Sequence, residues 1–250
     1  MHAPPDFEPI ESQSPPMPFQ GAVRVPRHSV TWTYVLIGIN AVIFLAGMVL
    51  GDFLLNWGAL IPGRVIYLGE WWRIITAGFL HAGILHIGFN LYALYFLGQG
   101  VERFYGGVRF LAIYAVSMLG GNALAMLFSP LGIPTVGASG AILGLVGALL
   151  VYFWQYRDDL SGARHRFRKM LEMALLNVAI GLSPGISLWG HLGGVLAGAS
   201  MGWALMPRYQ FRRESFQLEM GGLQLPQWIA GILVKFFWLG LIALAFWARG

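Results

Sequence analysis

The chain has 250 residues, 57% hydrophobic and 11% charged, with a mean hydropathy of +0.64. Soluble domains carry about 25% charged residues, so this composition excludes a water-soluble globule and points to a lipid bilayer. The net charge of +5 is spread over short connections, which excludes nucleic acid as a partner, and the absence of cysteine excludes disulfides and thiolate metal sites.

Residues 1–29 are polar and rich in proline and are expected to form a disordered cytoplasmic tail. No apolar core follows a basic start near Met1, so no cleavable signal peptide is expected. Seven apolar segments come next, weighed against the roughly 20 residues that a spanning helix needs. They run from about Val30 to Leu50, Leu80 to Gly98, Val108 to Phe128, Ser139 to Tyr156, Met170 to Leu182, Trp189 to Met206 and Trp228 to Trp247. The long first connection, Gly51 to about Phe79, holds Trp57, Trp71 and Trp72 among apolar residues and reads as an interfacial segment. Residues 207–227 read as a cytoplasmic linker leading to a seventh transmembrane helix in 228–250. The expected fold class is an all-α, polytopic membrane protein.

The connections orient the spans. Twelve basic residues, including Arg24, Arg27, Arg103, Arg109, Arg157, Arg164, Arg166, Arg168, Lys169, Arg208, Arg212 and Arg213, fall on one side, against Arg64, Arg73 and Arg249 on the other. Basic flanks stay in the cytoplasm, which puts the N-terminus inside and the C-terminus outside. Lys235 is left within the seventh span, and Glu172 is the one acidic residue within a span, at a cytoplasmic end.

By this topology Gly137-Ala138-Ser139-Gly140 and His191-Leu192-Gly193-Gly194 both open their helices at the non-cytoplasmic face. Serine and histidine are a nucleophile and its usual base. A lone membrane serine is more often an N-cap or a packing contact. Here, however, the helix start also offers free N–H groups that suit a developing oxyanion. Gly194, Gly198 and Gly202 form a small-residue stripe below His191, and Gly140, Gly144 and Gly147 form a matching one below Ser139. If the stripes meet, Ser139 and His191 come within reach of each other. No Asp or Glu lies in the outer half of any span, so the histidine has no acidic orienter and the catalytic unit is a dyad.

His81, His86 and Asn90 open the second span, with His86 and Asn90 on one helix face. As donors His86 and Asn90 suit an oxyanion hole. A metal held by His81, His86 and His191 is the competing use of these rings. It is disfavoured because His81 and His86 are five residues apart and no carboxylate partner is at hand. Asn40 and Asn122 read as interhelical hydrogen bonds.

The set Trp72-Arg73, His81-x-x-x-x-His86-x-x-x-Asn90, Val101-Glu102-Arg103, Gly137-Ala138-Ser139-Gly140 and His191-x-x-Gly194-x-x-x-Gly198 resembles the rhomboid family of intramembrane serine proteases over about residues 30–206. The resemblance implies a six-helix rhomboid-like catalytic core in 30–206, to which the seventh helix is an addition. It implies Ser139 as nucleophile, His191 as base, and an oxyanion hole of His86, Asn90 and the Ser139 N–H. It gives Gly137 and Gly140 close backbone approach around the serine. Trp72, Arg73 and Glu102 become structural residues that hold the first connection and its helix, and the fifth helix with 183–188 becomes a lateral gate and cap. Many members carry an aromatic residue four positions after the serine, where this chain has Leu143. The expected activity is cleavage of other proteins' transmembrane segments near the non-cytoplasmic face, without cofactor or metal. The expected location is a bacterial inner membrane, with the N-terminus cytoplasmic. An inactive rhomboid-like binding protein or chaperone is the alternative, and a solute transporter is disfavoured because Glu172 alone cannot form a proton relay.

Overall fold

The computed structural model describes residues 28–212, 217–220 and 225–250. The expected disordered tail, with Arg24 and Arg27, and Arg213 of the linker fall outside them, apart from His28 and Ser29 at the tail's end. Helix α1 spans Trp32–Leu50, and the first connection folds into three short helices, α2 (Asp52–Gly58), α3 (Pro62–Leu68) and α4 (Arg73–Thr76), closed by a 3-10 turn at Ala77–Phe79. Then come α5 (Ile84–Tyr105), α6 (Gly107–Phe128), α7 (Ser139–Gln155), α8 (Ala163–Ile180) and α9 (Leu188–Ala204). A two-stranded antiparallel hairpin, β1 (Tyr209–Arg212) and β2 (Gln217–Met220), precedes α10 (Leu225–Arg249). The stretch expected to be a plain linker therefore carries a β-ribbon.

Seven long helices stand where seven apolar segments were expected. Helices α1, α5, α6 and α10 are each long and apolar enough to cross a membrane. At 17 residues, α7 is shorter than that measure. Its position explains why: Ala141 through Leu149 are buried without a break, as are Tyr152 and Phe153. A helix apolar on every side is a core helix, and α7 is enclosed by its neighbours rather than by lipid.

The close packing around α7 comes from glycine. A methyl group added at Gly198 of α9 would sit 2.0 Å from the Gly144 carbonyl oxygen and 2.3 Å from its Cα, and one at Gly194 would sit 2.1 Å from the Gly140 oxygen. The two small-residue stripes therefore meet, with Gly202 reaching Ala148 in place of a third glycine. Helix α6 joins the same contact, where Gly193 lies against the backbone of Gly120.

Three boundaries differ from expectation for physical reasons. Helix α5 begins at Ile84, after His81, and continues through Glu102 to Tyr105. Glu102 can lie inside a helix because its carboxylate caps the start of α1, accepting from the N–H groups of Thr31, Trp32 and Thr33 and from the Thr33 hydroxyl. Helix α8 begins at Ala163, so Arg164, Arg166, Arg168 and Lys169 form its first turns instead of a loop, and Glu172 lies well within it. Hydropathy hides such a charged start. Helix α10 begins at Leu225 and ends with Arg249, which donates to the carbonyls of Met126 and Ser129 and so ties the ends of α10 and α6 together.

Candidate active site

Ser139 is the first residue of α7 and His191 lies in the first turn of α9, whose N-cap Ser187 accepts from the Gly190 N–H at 3.0 Å. With α7 and α9 meeting along glycine, the two side chains come together: His191 Nε2 lies 3.1 Å from Ser139 Oγ. The imidazole is largely buried, and Ser139 is half-buried.

The other face of the imidazole is held from a different helix. His191 Nδ1 lies 2.8 Å from the main-chain oxygen of Asn177 in the last turn of α8. A carbonyl can only accept, so Nδ1 carries the proton and Nε2 presents its lone pair to the serine hydroxyl. This is the tautomer a general base needs. The absence of an acidic orienter is thus met by a backbone carbonyl. Asn177 is a residue that the sequence analysis did not single out, and no sequence signal reveals it, because every residue carries that oxygen. Ser187 was also missed, although a serine just before an apolar helix is a legible cap signal.

His86 and Asn90 lie on one face of α5, beside the segment that leads into Ser139. Gly137 has φ +126°, which disfavours any side chain, and an added Cβ would stand 2.7 Å from His86 Nε2 and 3.7 Å from Asn90 Nδ2. His86 Nδ1 faces the Ala82 N–H at 3.5 Å, the long end of a hydrogen bond, which leaves Nε2 as the donor toward Gly137. Asn90 is buried, and its Nδ2 has no hydrogen-bond partner among the described residues. A buried amide donor left open costs about 1–3 kcal/mol unless something accepts from it. Asn90 Nδ2, open among the described residues, and His86 Nε2 therefore border the backbone just before the serine.

His81 is not at the start of α5 but in the preceding connection, its ring edge-on to that of His86 at 5.1 Å between centroids. Burial, and then the neighbouring His86, lower its pKa from 6.5 to about 4, so the ring is neutral. Among the described residues no three His, Cys, Asp or Glu side chains come together as metal ligands.

The first connection supports the serine. Arg73, fully buried, donates from Nη1 to the Ala59 carbonyl and from Nη2 to the Asn56 carbonyl, each at 2.8 Å, while Nε meets Glu70. Trp72 donates to the Trp57 carbonyl and stacks on that ring. Next to Ala59, Leu60 exchanges both backbone hydrogen bonds with Thr135, at 3.0 and 2.8 Å, and Gly137 N–H donates to the Ala77 carbonyl at 2.9 Å. Asn122 donates to the Ile74 carbonyl at 2.7 Å, which anchors α4 on α6. Trp72 and Arg73 thus brace the strand-like approach to Ser139. Glu102 does not take part, because its carboxylate is spent on the start of α1. Asn40, expected between helices, donates within its own helix to Leu36. Leu143 is buried in the core around α7.

A Rhomboid domain profile matches residues 68–208. The chain is 38% identical to RHOMBOID-like protein 6, mitochondrial, of Arabidopsis thaliana over 164 residues, covering 64% of this chain and 52% of that protein. It is 36% identical to rhomboid protease GluP of Bacillus subtilis over 174 residues, covering 67% of this chain and 33% of the relative. It is 35% identical to RHOMBOID-like protein 1 of Arabidopsis thaliana over 157 residues, covering 62% of this chain and 39% of that protein. The chain thus spans about half or less of the length of these curated relatives.

Proposed function

The chain belongs to the rhomboid family, a family of intramembrane proteases, and on that premise we propose that it is a serine endopeptidase that cuts transmembrane segments of other proteins. It is an integral, multi-pass membrane protein. The observation that carries the proposal is the polar chain from Asn177 O through His191 to Ser139 Oγ at one end of a helical bundle. Idle polar groups at membrane depth are costly, and a lone-pair nitrogen aimed at a serine hydroxyl is the arrangement that activates it.

In the proposed mechanism Ser139 Oγ attacks the scissile carbonyl carbon as its proton passes to His191 Nε2. The imidazolium formed is stabilised at Nδ1–H by the Asn177 carbonyl. The oxyanion is received by Asn90 Nδ2, His86 Nε2 and the free N–H of Ser139 at the head of α7. His191 then protonates the leaving amine, and a water deprotonated by the same nitrogen hydrolyses the acyl-enzyme. Gly137, Gly140, Gly194 and Gly198 let the backbones approach closely enough for this geometry. Trp72 and Arg73 act as structural braces of the first connection, and Glu102 holds the start of α1.

The excess of basic flanks supports the proposal that the Ser139 end is non-cytoplasmic and the N-terminus cytoplasmic, and a bacterial inner membrane is the proposed location. Of the three basic residues at the Ser139 end, Arg73 and Arg249 are tied to carbonyls, which further weakens the pull of that side. Residues 30–206 are the proposed catalytic core, and α8 with 183–188 is the proposed gate and cap. Substrate helices must unwind to present an extended backbone, so Gly or Pro below the cut favours cleavage over poly-Leu.

The test is labelling by a fluorophosphonate probe in detergent, together with cleavage of a transmembrane substrate by purified protein. Labelling at Ser139, with both signals lost in Ser139→Ala, is expected. An unlabelled but folded wild-type chain would favour the inactive rhomboid-like binding protein.

A further inference from the structure

Near its end, α10 meets the first connection. Ile242 and Ala245 are buried in a second, smaller core together with Leu60 and Ala77 of that connection and Met126 of α6. Leu60 and Ala77 are also the residues whose main chains hold the approach to Ser139, through Thr135 and Gly137.

Arg249 closes this arrangement with hydrogen bonds of its own. Its Nη1 donates to the carbonyls of Met126 and Ser129, the second at 2.8 Å, and its main-chain oxygen accepts from the Tyr67 hydroxyl of α3 at 2.8 Å. The Met126 carbonyl needs a donor from elsewhere. Its helical partner would be the residue four ahead, Pro130, which has no N–H. Ser129 opens the connection from α6 to α7, and α3 is bonded to that same connection, since Gly63 N–H donates to the Leu131 carbonyl at 2.8 Å. Arg249 thus grips α3 on one side and Ser129 on the other. The bonds from Gly63 to Leu131 and between Leu60 and Thr135 carry that grip toward Ser139.

We propose that Arg249 is a positioning residue for Ser139: by fixing Ser129 and α3 together, α10 sets where the 129–138 connection delivers the serine and the N–H groups at the head of α7. The helix added to the six-helix core is then part of how the site is held. The effect on turnover rests on the proposed Ser139 protease, whereas the placing of the connection does not.

Two readouts on the full-length protein in detergent test this: amide hydrogen exchange over 129–138 and steady-state cleavage of a transmembrane substrate. In Arg249→Gln the Thr135 and Gly137 amides should exchange about tenfold faster, while amides within α7 and α9 keep wild-type rates. The kcat should fall about tenfold or more with KM little changed, as for a nucleophile misplaced by a distant substitution. Both side-chain bonds leave from one nitrogen, so Arg249→Lys should restore both readouts. Tyr67→Phe, in which an exposed ring loses its hydroxyl alone, should move both in the same direction by less. Faster exchange throughout the chain at a lowered Tm would make Arg249 a general stability residue and overturn the proposal. Wild-type exchange over 129–138, or an unchanged kcat despite faster exchange there, would overturn it too. A wild type that neither cleaves nor takes a fluorophosphonate would instead sink the protease reading, and the exchange rates would still decide whether Arg249 places the connection.

Discussion

Helices α7 and α8 are consecutive and of nearly equal length, yet they are held in opposite ways. Nine residues in a row are buried on α7, whereas on α8 only Ala163 and Ala174 are fully buried. Both reach His191: α7 through the Ser139 hydroxyl and α8 through the Asn177 carbonyl. The proposed nucleophile and base thus ride on a glycine-locked pair of helices. The group that orients the base rides on a loosely held one. In the proposed reading this separates two tasks, because α8 can shift to admit a substrate while Ser139 and α9 stay in register. The imidazole is fully oriented only when α8 is home.

Enlarging the two regions should break that comparison most visibly. Gly198→Val puts a branched side chain where even a methyl meets the Gly144 backbone at 2.0 Å, so the α7–α9 contact cannot form. Folded monomer recovered by size exclusion should fall to background. The matching enlargement on the exposed face of α8, Ala179→Leu, should leave that yield unchanged. Equal losses would mean that α8 is packed as tightly as α7.

The next effect concerns the donors beside Gly137. Asn90→Ala removes the open Nδ2 donor and should lower kcat about 10²- to 10³-fold, with KM little changed. An unaltered kcat in steady-state cleavage would remove Asn90 from the proposed oxyanion site.

A smaller effect isolates the orienting carbonyl. Gly181 closes α8 just past Asn177, and an added methyl would meet the Leu188 Cα at 2.6 Å. Gly181→Ala should therefore push the end of α8 away from α9 and weaken the contact from Asn177 to His191. We expect kcat to fall about tenfold at unchanged thermal stability, the scale of one weakened hydrogen bond to a charged group. A fall in stability with kcat intact would assign Gly181 to packing alone.

The smallest expected effect on activity is at Leu143, buried on the serine helix four residues past Ser139. Leu143→Ala should lower stability by about 2–5 kcal/mol in a denaturation series, as a buried cavity does. Activity per folded molecule should fall less than for Gly181→Ala.

Hydropathy alone determined a great deal here: the membrane setting, the seven long helices, and helix starts that put Ser139 and His191 at one level. These follow because lipid admits a single economical backbone solution. The i,i+4 spacing of His86 and Asn90 was equally legible, since a helix puts such positions on one face. Boundaries failed where a charged start disguised helix, at α8, or where a carboxylate served as another helix's cap, at Glu102. Only the tertiary structure supplied the Asn177 carbonyl and the pairing of Leu60 with Thr135. Backbone oxygens carry no sequence signature, and the level at which two helices meet is set by packing between segments far apart in the chain.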